Sequence, residues 1–86
     1  MEKCGYIMVI VQEHRVETAA RVQEVLTRYG CNIRVRLGLH DAGLATCSNS
    51  GMILLQVCGE KADADQLLAE LLKVPKVKAK LMPLDF

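Results

Sequence analysis

The sequence predicts one α+β domain in which four strands and two helices follow in the order βαββαβ. Three observations predict it: two nearly continuous apolar runs, two segments with apolar residues at three- and four-residue steps, and two segments that alternate apolar and basic residues. With 86 residues, the chain is well below the length at which chains usually divide into domains. We therefore expect a single domain over residues 1–86.

The two apolar runs predict the central strands of a sheet. Residues 5–12 contain Tyr-Ile-Met-Val-Ile-Val without any alternation, and residues 52–58 are apolar apart from Gln56. A strand that is apolar on both faces is typical of a position inside the sheet with both faces covered.

Two amphipathic segments predict helices. Over residues 16–29, apolar residues recur at helical spacing between charged ones, and Gly30 follows as a typical helix terminator. The second helix begins near Lys61, where Asp63 and Asp65 suit the positive end of a helix dipole, and it ends before Pro75.

The alternating segments predict edge strands. Residues 31–37 alternate Ile, Val and Leu with two arginines, and residues 77–81 alternate Val, Ala and Leu with two lysines. Basic side chains on edge strands oppose edge-to-edge aggregation. Two central and two edge strands in this order match the ferredoxin-like split βαβ arrangement, an antiparallel sheet with strand order 4-1-3-2.

The strand parity predicts an apolar sheet face that the helices leave open. If the apolar residues of both edge strands point toward the helices, we expect Ile7, Val9 and Val11 to point the same way. The opposite face then carries Tyr6, Met8, Ile10, Gln12, Met52, Leu54, Gln56 and Cys58, flanked by Arg34, Arg36, Lys78 and Lys80. An apolar band with a charged rim is typical of an interface. We therefore expect a homodimer or homotetramer that associates through Tyr6, Met8, Ile10, Met52, Leu54, Gln56, Arg34 and Arg36.

Composition excludes several function classes. The net charge is only +1, and the central strands carry a single aromatic residue, Tyr6, so we expect no direct nucleic-acid binding. No apolar run is long enough to span a bilayer, and no signal peptide is recognisable at the N-terminus, so we expect a cytoplasmic protein without a membrane partner. No catalytic arrangement or phosphate-binding loop is present, which predicts that the chain is not an enzyme.

Three cysteines are expected at one end of the sheet. In the predicted topology Cys4, Cys31 and Cys58 come together, and we expect Cys4 and Cys58 to be cross-strand neighbours. In the cytoplasm we expect reduced thiols rather than structural disulfides. The cysteines then either fill apolar space or form a metal or redox site, since thiolates are ligands of soft metals.

The long loop after the second strand contains two further candidate metal ligands. His40 and Cys47 offer an imidazole and a thiolate, which suit zinc, nickel or copper, but a neighbouring subunit would have to complete the site. His14, after the first strand, is interpreted as a surface residue. The sequence requires no cofactor, although a transition metal fits these residue types.

Several short segments carry a resemblance to a known family. They are Val25-Leu26 with Gly30, Arg36-Leu37-Gly38-Leu39, Val57-Cys58-Gly59, and Val74-Pro75-Lys76-Val77-Lys78-Ala79. Over nearly its whole length the chain resembles the small proteins described as iron-only hydrogenase system regulators. These proteins look like stand-alone ACT-type domains, similar to the C-terminal sensing domain of nickel-responsive repressors. In this chain, Gly30-Cys31-Asn32-Ile33 resembles the Gly-x-Asn-Ile motif that ACT domains have at the start of their second strand.

The resemblance implies an oligomeric regulatory domain that senses a small molecule or a metal. ACT domains bind effectors at subunit interfaces near the second strand and the loop after the first, which implies ligand-binding roles for Gln12, His14, Asn32, Gly38 and His40. Nickel repressors carry a His-x-His pair in this hairpin, whereas here Gly38 stands two residues before His40. No DNA-binding segment accompanies the fold, so a DNA-binding or maturation partner is expected to deliver any regulatory effect. The alternatives are a metal-binding or redox protein that uses Cys4, Cys31 and Cys58, and a structural interaction module for maturation enzymes.

Overall fold

A computed structural model describes residues 4–13, 15–39 and 51–85 and has the predicted ferredoxin-like fold. The sheet order is β2-β3-β1-β4, with every neighbouring pair antiparallel. This is the predicted 4-1-3-2 arrangement read from the other edge. A short 3-10 turn (Gly30–Asn32) precedes β2, and the elements are β1 (Tyr6–Gln12), α1 (Arg15–Arg28), β2 (Ile33–Leu39), β3 (Gly51–Val57), α2 (Lys61–Leu72) and β4 (Val77–Pro83).

Both helices pack on the same face of the sheet and enclose the core. Leu26 of α1 and Leu67 of α2 are almost completely buried against Met8 and Leu55 of the central strands. Burying one such side chain contributes about 1.5–3 kcal/mol relative to leaving it exposed. The helix-covered face therefore supplies most of the stability of the monomer.

The predicted orientation of β1 is wrong. Strand parity places Met8 and Ile10 on the open face, but both are fully buried beneath the helices. They pair with Leu55 and Ile53 of β3, which belong to the same core, and residues directly opposite in an antiparallel pair share a face. Tyr6 also packs against this core, so three of the residues predicted for the interface lie on the helix side. Because the run from Tyr6 to Val11 is apolar at every position, it contains no period-2 signal from which the orientation could be read.

A β-bulge reverses the predicted orientation of β2. Ile33 pairs with Val57 on the helix side, as predicted, but the register shifts at the next residue, and Val35 pairs with Gln56 on the opposite face. Arg34 is therefore the extra residue of the bulge. Beyond it, Leu37 pairs with Leu54 on the open face, whereas Arg36 pairs with Leu55 on the helix side. The prediction that Arg36 flanks the open face is thus wrong.

The predicted orientations of β3 and β4 are confirmed. In β3, Ile53, Leu55 and Val57 are buried while Met52 is 41% exposed. In β4, Val77 is buried and Ala79 and Leu81 pack against the core. In β4 the lysines stand between the buried positions, so the alternation of burial is visible in the sequence, whereas in β3 only Gln56 marks the outward side.

Candidate functional site

The sheet face that is not covered by the helices is apolar, and we call it the open face. Its apolar side chains come from all four strands, and several are large and exposed, including Leu37 at 50% and Met82 at 56%. Two of them, Met52 and Leu54, agree with the predicted composition of this face. Among the side chains that the structure describes, the apolar residues of this face are Ile7, Val9, Val11, Val35, Leu37, Met52, Leu54 and Met82.

A shallow groove of about 660 Å³ crosses the open face between β1 and β4. The floor is made by Ile7, Val9 and Val11, and Met82 lines one side. Lys78 and Lys80 also line it, because the apolar stems of lysines cover hydrophobic surface while their amines reach water. Lys78 forms an ion pair with Glu13, with 3.2 Å between Nζ and Oε1. The groove is therefore apolar at its floor and charged at its edge.

Of the residues that the resemblance implies for ligand binding, the three that the structure describes do not all lie together. Gln12 and Gly38 lie toward the same end of the sheet, as the pairing of β3 with β1 and β2 shows, whereas Asn32 lies at the other end next to Cys58. The Gln12 side chain is buried and accepts a hydrogen bond from the Thr18 hydroxyl at 3.5 Å. His14 and His40, which complete the predicted set, lie outside the described residues.

Asn32 has a structural role at the end of β3. Its side-chain Nδ2 donates to the Cys58 carbonyl at 3.1 Å, and its own carbonyl accepts from the Cys58 amide at 2.7 Å. The next residue, Gly59, has φ +105°, and a Cβ at this position would lie 2.9 Å from both Asn32 Nδ2 and Asp63 Oδ2. Asp63 in turn accepts a hydrogen bond from the Glu60 amide at 3.1 Å at the start of α2. The Asn-Ile segment thus joins the entry of β2 to the turn between β3 and α2.

The three cysteines meet at this same end of the sheet, as predicted. Cys4 and Cys58 form a disulfide, and Cys31 is an exposed free thiol. All three line an open cavity of about 390 Å³ together with Asn32, Ile33, Arg34 and Gly59. The expectation that the thiols are all unpaired is wrong for Cys4 and Cys58, because the antiparallel pairing of β1 with β3 brings the chain just before β1 beside the chain just after β3.

The disulfide changes the predicted metal chemistry. Metals bind cysteine as the thiolate, so a bonded Cys4–Cys58 pair does not supply the ligands predicted for it. Within residues 4–13, 15–39 and 51–85, no group of three or more His, Cys, Asp or Glu side chains could hold a metal ion. The other two predicted ligands, His40 and Cys47, lie outside the described residues.

Lys61, at the start of α2, has a raised pKa. Its Nζ donates to Asp65 Oδ2 at 2.7 Å, and this hydrogen bond together with the carboxylate charge raises the pKa of the lysine. A lysine is already protonated at neutral pH, so the shift leaves its charge unchanged there.

The described helices are all too short or too polar to cross a bilayer. This holds for α1 and α2, which are the α-helices in the part of the chain that the structure describes.

Comparisons with known proteins support the fold and assign no activity. No protein-family model matches the chain, and no curated protein matches it significantly. The structure is similar to that of the uncharacterized protein TM1266 from Thermotoga maritima, with a TM-score of 0.83 and 27% identity over 98% of this chain and 100% of that one. A functionally unknown protein from Pediococcus pentosaceus gives a TM-score of 0.53 at 16% identity, covering 94% and 91% of the two chains. A dimeric ferredoxin-like protein from Thermobifida fusca gives 0.45 at 15% identity, covering 98% and 95%.

Proposed function

We propose that this protein is an oligomeric regulatory domain in which the open face of one copy packs against the open face of a second. The observation that carries the proposal is the apolar surface of the sheet opposite the helices, to which all four strands contribute. Sheet faces that pack on one another at about 10 Å are a common way to bury such a surface.

The size of the open face suits a second copy. Four strands of seven residues cover roughly 19 × 23 Å at ordinary strand spacings, or about 440 Å² in projection. The accessible area of protruding side chains exceeds this projection, so it approaches the ~600 Å² per partner at the lower end of specific interfaces. The molecule exposes 5716 Å² in all, and specific interfaces occupy about a tenth of a small protein's surface.

The charges around the face favour a two-fold arrangement that keeps its rim in water. Lys78 and Lys80 belong to the edge strand β4 and lie opposite Val11 and Val9. Gln56 lies opposite Ile7, near the other end of β1. In a packing of two copies around a two-fold axis, the apolar centre is buried, and the lysine amines stay at the periphery. Burying an unpaired lysine would instead be strongly unfavourable.

The regulatory part of the proposal follows from the sequence resemblance to iron-only hydrogenase system regulators. A sensing domain of that kind binds a small effector or a metal ion where subunits meet, and it acts through a DNA-binding or maturation partner. Of the residues that the resemblance implies, Gly38 lies toward the end of the sheet from which the loop between β2 and β3 extends, and this favours an effector site at that end. The hydrogenase connection rests on the resemblance, and the oligomer rests on the open face.

The oligomer is tested with two leucines that are equally exposed in the monomer. Leu37 on the open face and Leu72 on α2 are each 50% exposed, so lysine at either position is expected to leave the monomer folded. We expect light scattering at micromolar concentration to show an oligomer for the wild type and for Leu72→Lys, and a monomer for Leu37→Lys. A wild type that is monomeric at this concentration, or an oligomer that Leu37→Lys leaves intact, would refute association through the open face.

Sensing is tested by thermal unfolding in the presence of amino acids and of transition-metal ions. A ligand that binds at the subunit interface raises the melting temperature of the wild type and of Leu72→Lys, and it has little effect on Leu37→Lys. An equal rise in all three proteins would place the ligand site within one subunit. No rise with any compound, together with co-purification of a partner protein, would instead identify an interaction module.

A further inference from the structure

The described cysteines form a cluster that the proposed function does not use. Cys4 and Cys58 are only partly buried, and Cys31 is exposed on the rim of the same cavity. An attacking thiolate needs access to a disulfide sulfur, and this bond is at the surface rather than in the core.

Contacts other than the disulfide hold both of its ends in place. On one side, Gln56 Nε2 donates to the Cys4 carbonyl at 3.2 Å, and the Leu84 amide donates to the Gly5 carbonyl at 2.7 Å. On the other side, Cys58 is held by its two hydrogen bonds with Asn32. Because these contacts do not involve sulfur, the two cysteines stay neighbours when the bond between them opens. The disulfide can therefore open and close without refolding of the sheet.

We propose that Cys4 and Cys58 form a reversible thiol–disulfide exchange site whose reaction partners are small thiols of the glutathione class. The thiolate of a first thiol molecule attacks one sulfur of the pair, the S–S bond breaks, and the released sulfur takes up a proton. A second thiol molecule attacks the resulting mixed disulfide and releases the other cysteine. In total, the protein disulfide gains two electrons and two protons, and two small thiols are oxidised to one small disulfide.

The Cys4–Cys58 disulfide lies beside the open face. The bond ties the segment before β1 to the turn that leads into α2, and Gln56, which holds Cys4, belongs to the open face. Opening of the bond therefore releases one covalent restraint at the edge of that face. The exchange chemistry itself does not require the oligomer, so the two proposals can fail separately.

The test is equilibration of the wild-type protein in glutathione buffers whose ratios span reducing cytosol and oxidising secretory compartments. Exchange is then stopped with acid, the free thiols are alkylated in denaturant after the small thiols have been removed, and each cysteine is assigned by peptide mass spectrometry. We expect Cys4 and Cys58 to change together from alkylated to disulfide-linked across the series, while Cys31 forms no disulfide within the protein and only exchanges with glutathione. Circular dichroism of the reduced protein is expected to show the same fold.

Two variants control the assignment. Cys31→Ser removes a thiol from the same cavity and is expected to leave the transition unchanged, whereas Cys4→Ser is expected to abolish it. A pair that stays oxidised in every buffer is a structural disulfide, and a pair that stays reduced in every buffer is not a redox site. Either result overturns the proposal, as does loss of the native fold on reduction.

Discussion

Replacement of Gly59 by alanine tests the turn that joins the cysteine end to α2. The φ of +105° lies in a region that residues with a Cβ rarely adopt, and such backbone conformations are unfavourable by about 1–3 kcal/mol. The new Cβ would also lie 2.9 Å from Asn32 Nδ2 and from Asp63 Oδ2, so both side chains must move. The hydrogen bonds that these two side chains make are worth about 1 kcal/mol each, and weakening both by about half costs about 1 kcal/mol more. We expect Gly59→Ala to lower the free energy of unfolding by about 2–4 kcal/mol in total.

The assay is urea unfolding followed by circular dichroism, with the Cys4–Cys58 pair kept oxidised in every sample. Gly30→Ala is the matched control, because Gly30 also lies at this end of the sheet, but a Cβ there would have no heavy atom within 4 Å and its φ is not positive. We expect the control to be unchanged or up to about 1 kcal/mol more stable, since alanine reduces the entropy of the unfolded chain. Equal stability of Gly59→Ala and Gly30→Ala would refute the close approach of Asn32 and Asp63 to the turn.

Three further predictions follow from the core, the disulfide and the start of α2. Met8→Ala is expected to lower the free energy of unfolding by about 2–5 kcal/mol, because Met8 is fully buried. Val9→Ala, on the open face, is expected to lower it by about 1 kcal/mol or less. Both values are measured by urea titration at protein concentrations where the chain is monomeric. Reduction of the Cys4–Cys58 bond, which spans 54 residues, is expected to lower the free energy of unfolding by up to about 4 kcal/mol. The measurement is the loss of thermal stability that a reductant causes in the wild type but not in Cys4→Ser. Asp63→Ala removes the acceptor for the Glu60 amide and is expected to lower the free energy of unfolding by about 0.5–2 kcal/mol in urea titrations. Asp63→Asn is expected to be closer to the wild type in stability.

Each of these predictions has a result that contradicts it. Equal destabilisation by Met8→Ala and Val9→Ala would mean that β1 does not separate a core face from an open face. A melting temperature that does not respond to reductant would mean that the bond does not restrain the unfolded chain. Unchanged stability in Asp63→Ala would mean that the aspartate does not cap α2.

Much of the architecture could be predicted from the sequence because periodicity reports burial. The two helices have a single apolar stripe each, and β4 alternates Val77, Ala79 and Leu81 with lysines, so their buried faces can be read directly. The sheet order followed from the contrast between continuous and alternating strands. The meeting of three cysteines at one end followed from that order.

The sequence by itself thus determined the elements, their order and the existence of surplus apolar surface, and only the tertiary structure decided which residues form that surface. In β1, Met8 and Val9 are equally apolar, and the pairing with β3 and the packing of the helices select Met8 for the core. In β2, the bulge at Arg34 turns Val35 and Leu37 outward, although the strand alternates without a break in sequence. A bulge and a strand orientation arise from the fit between neighbouring elements, and such long-range contacts leave no periodic signal in the segments themselves.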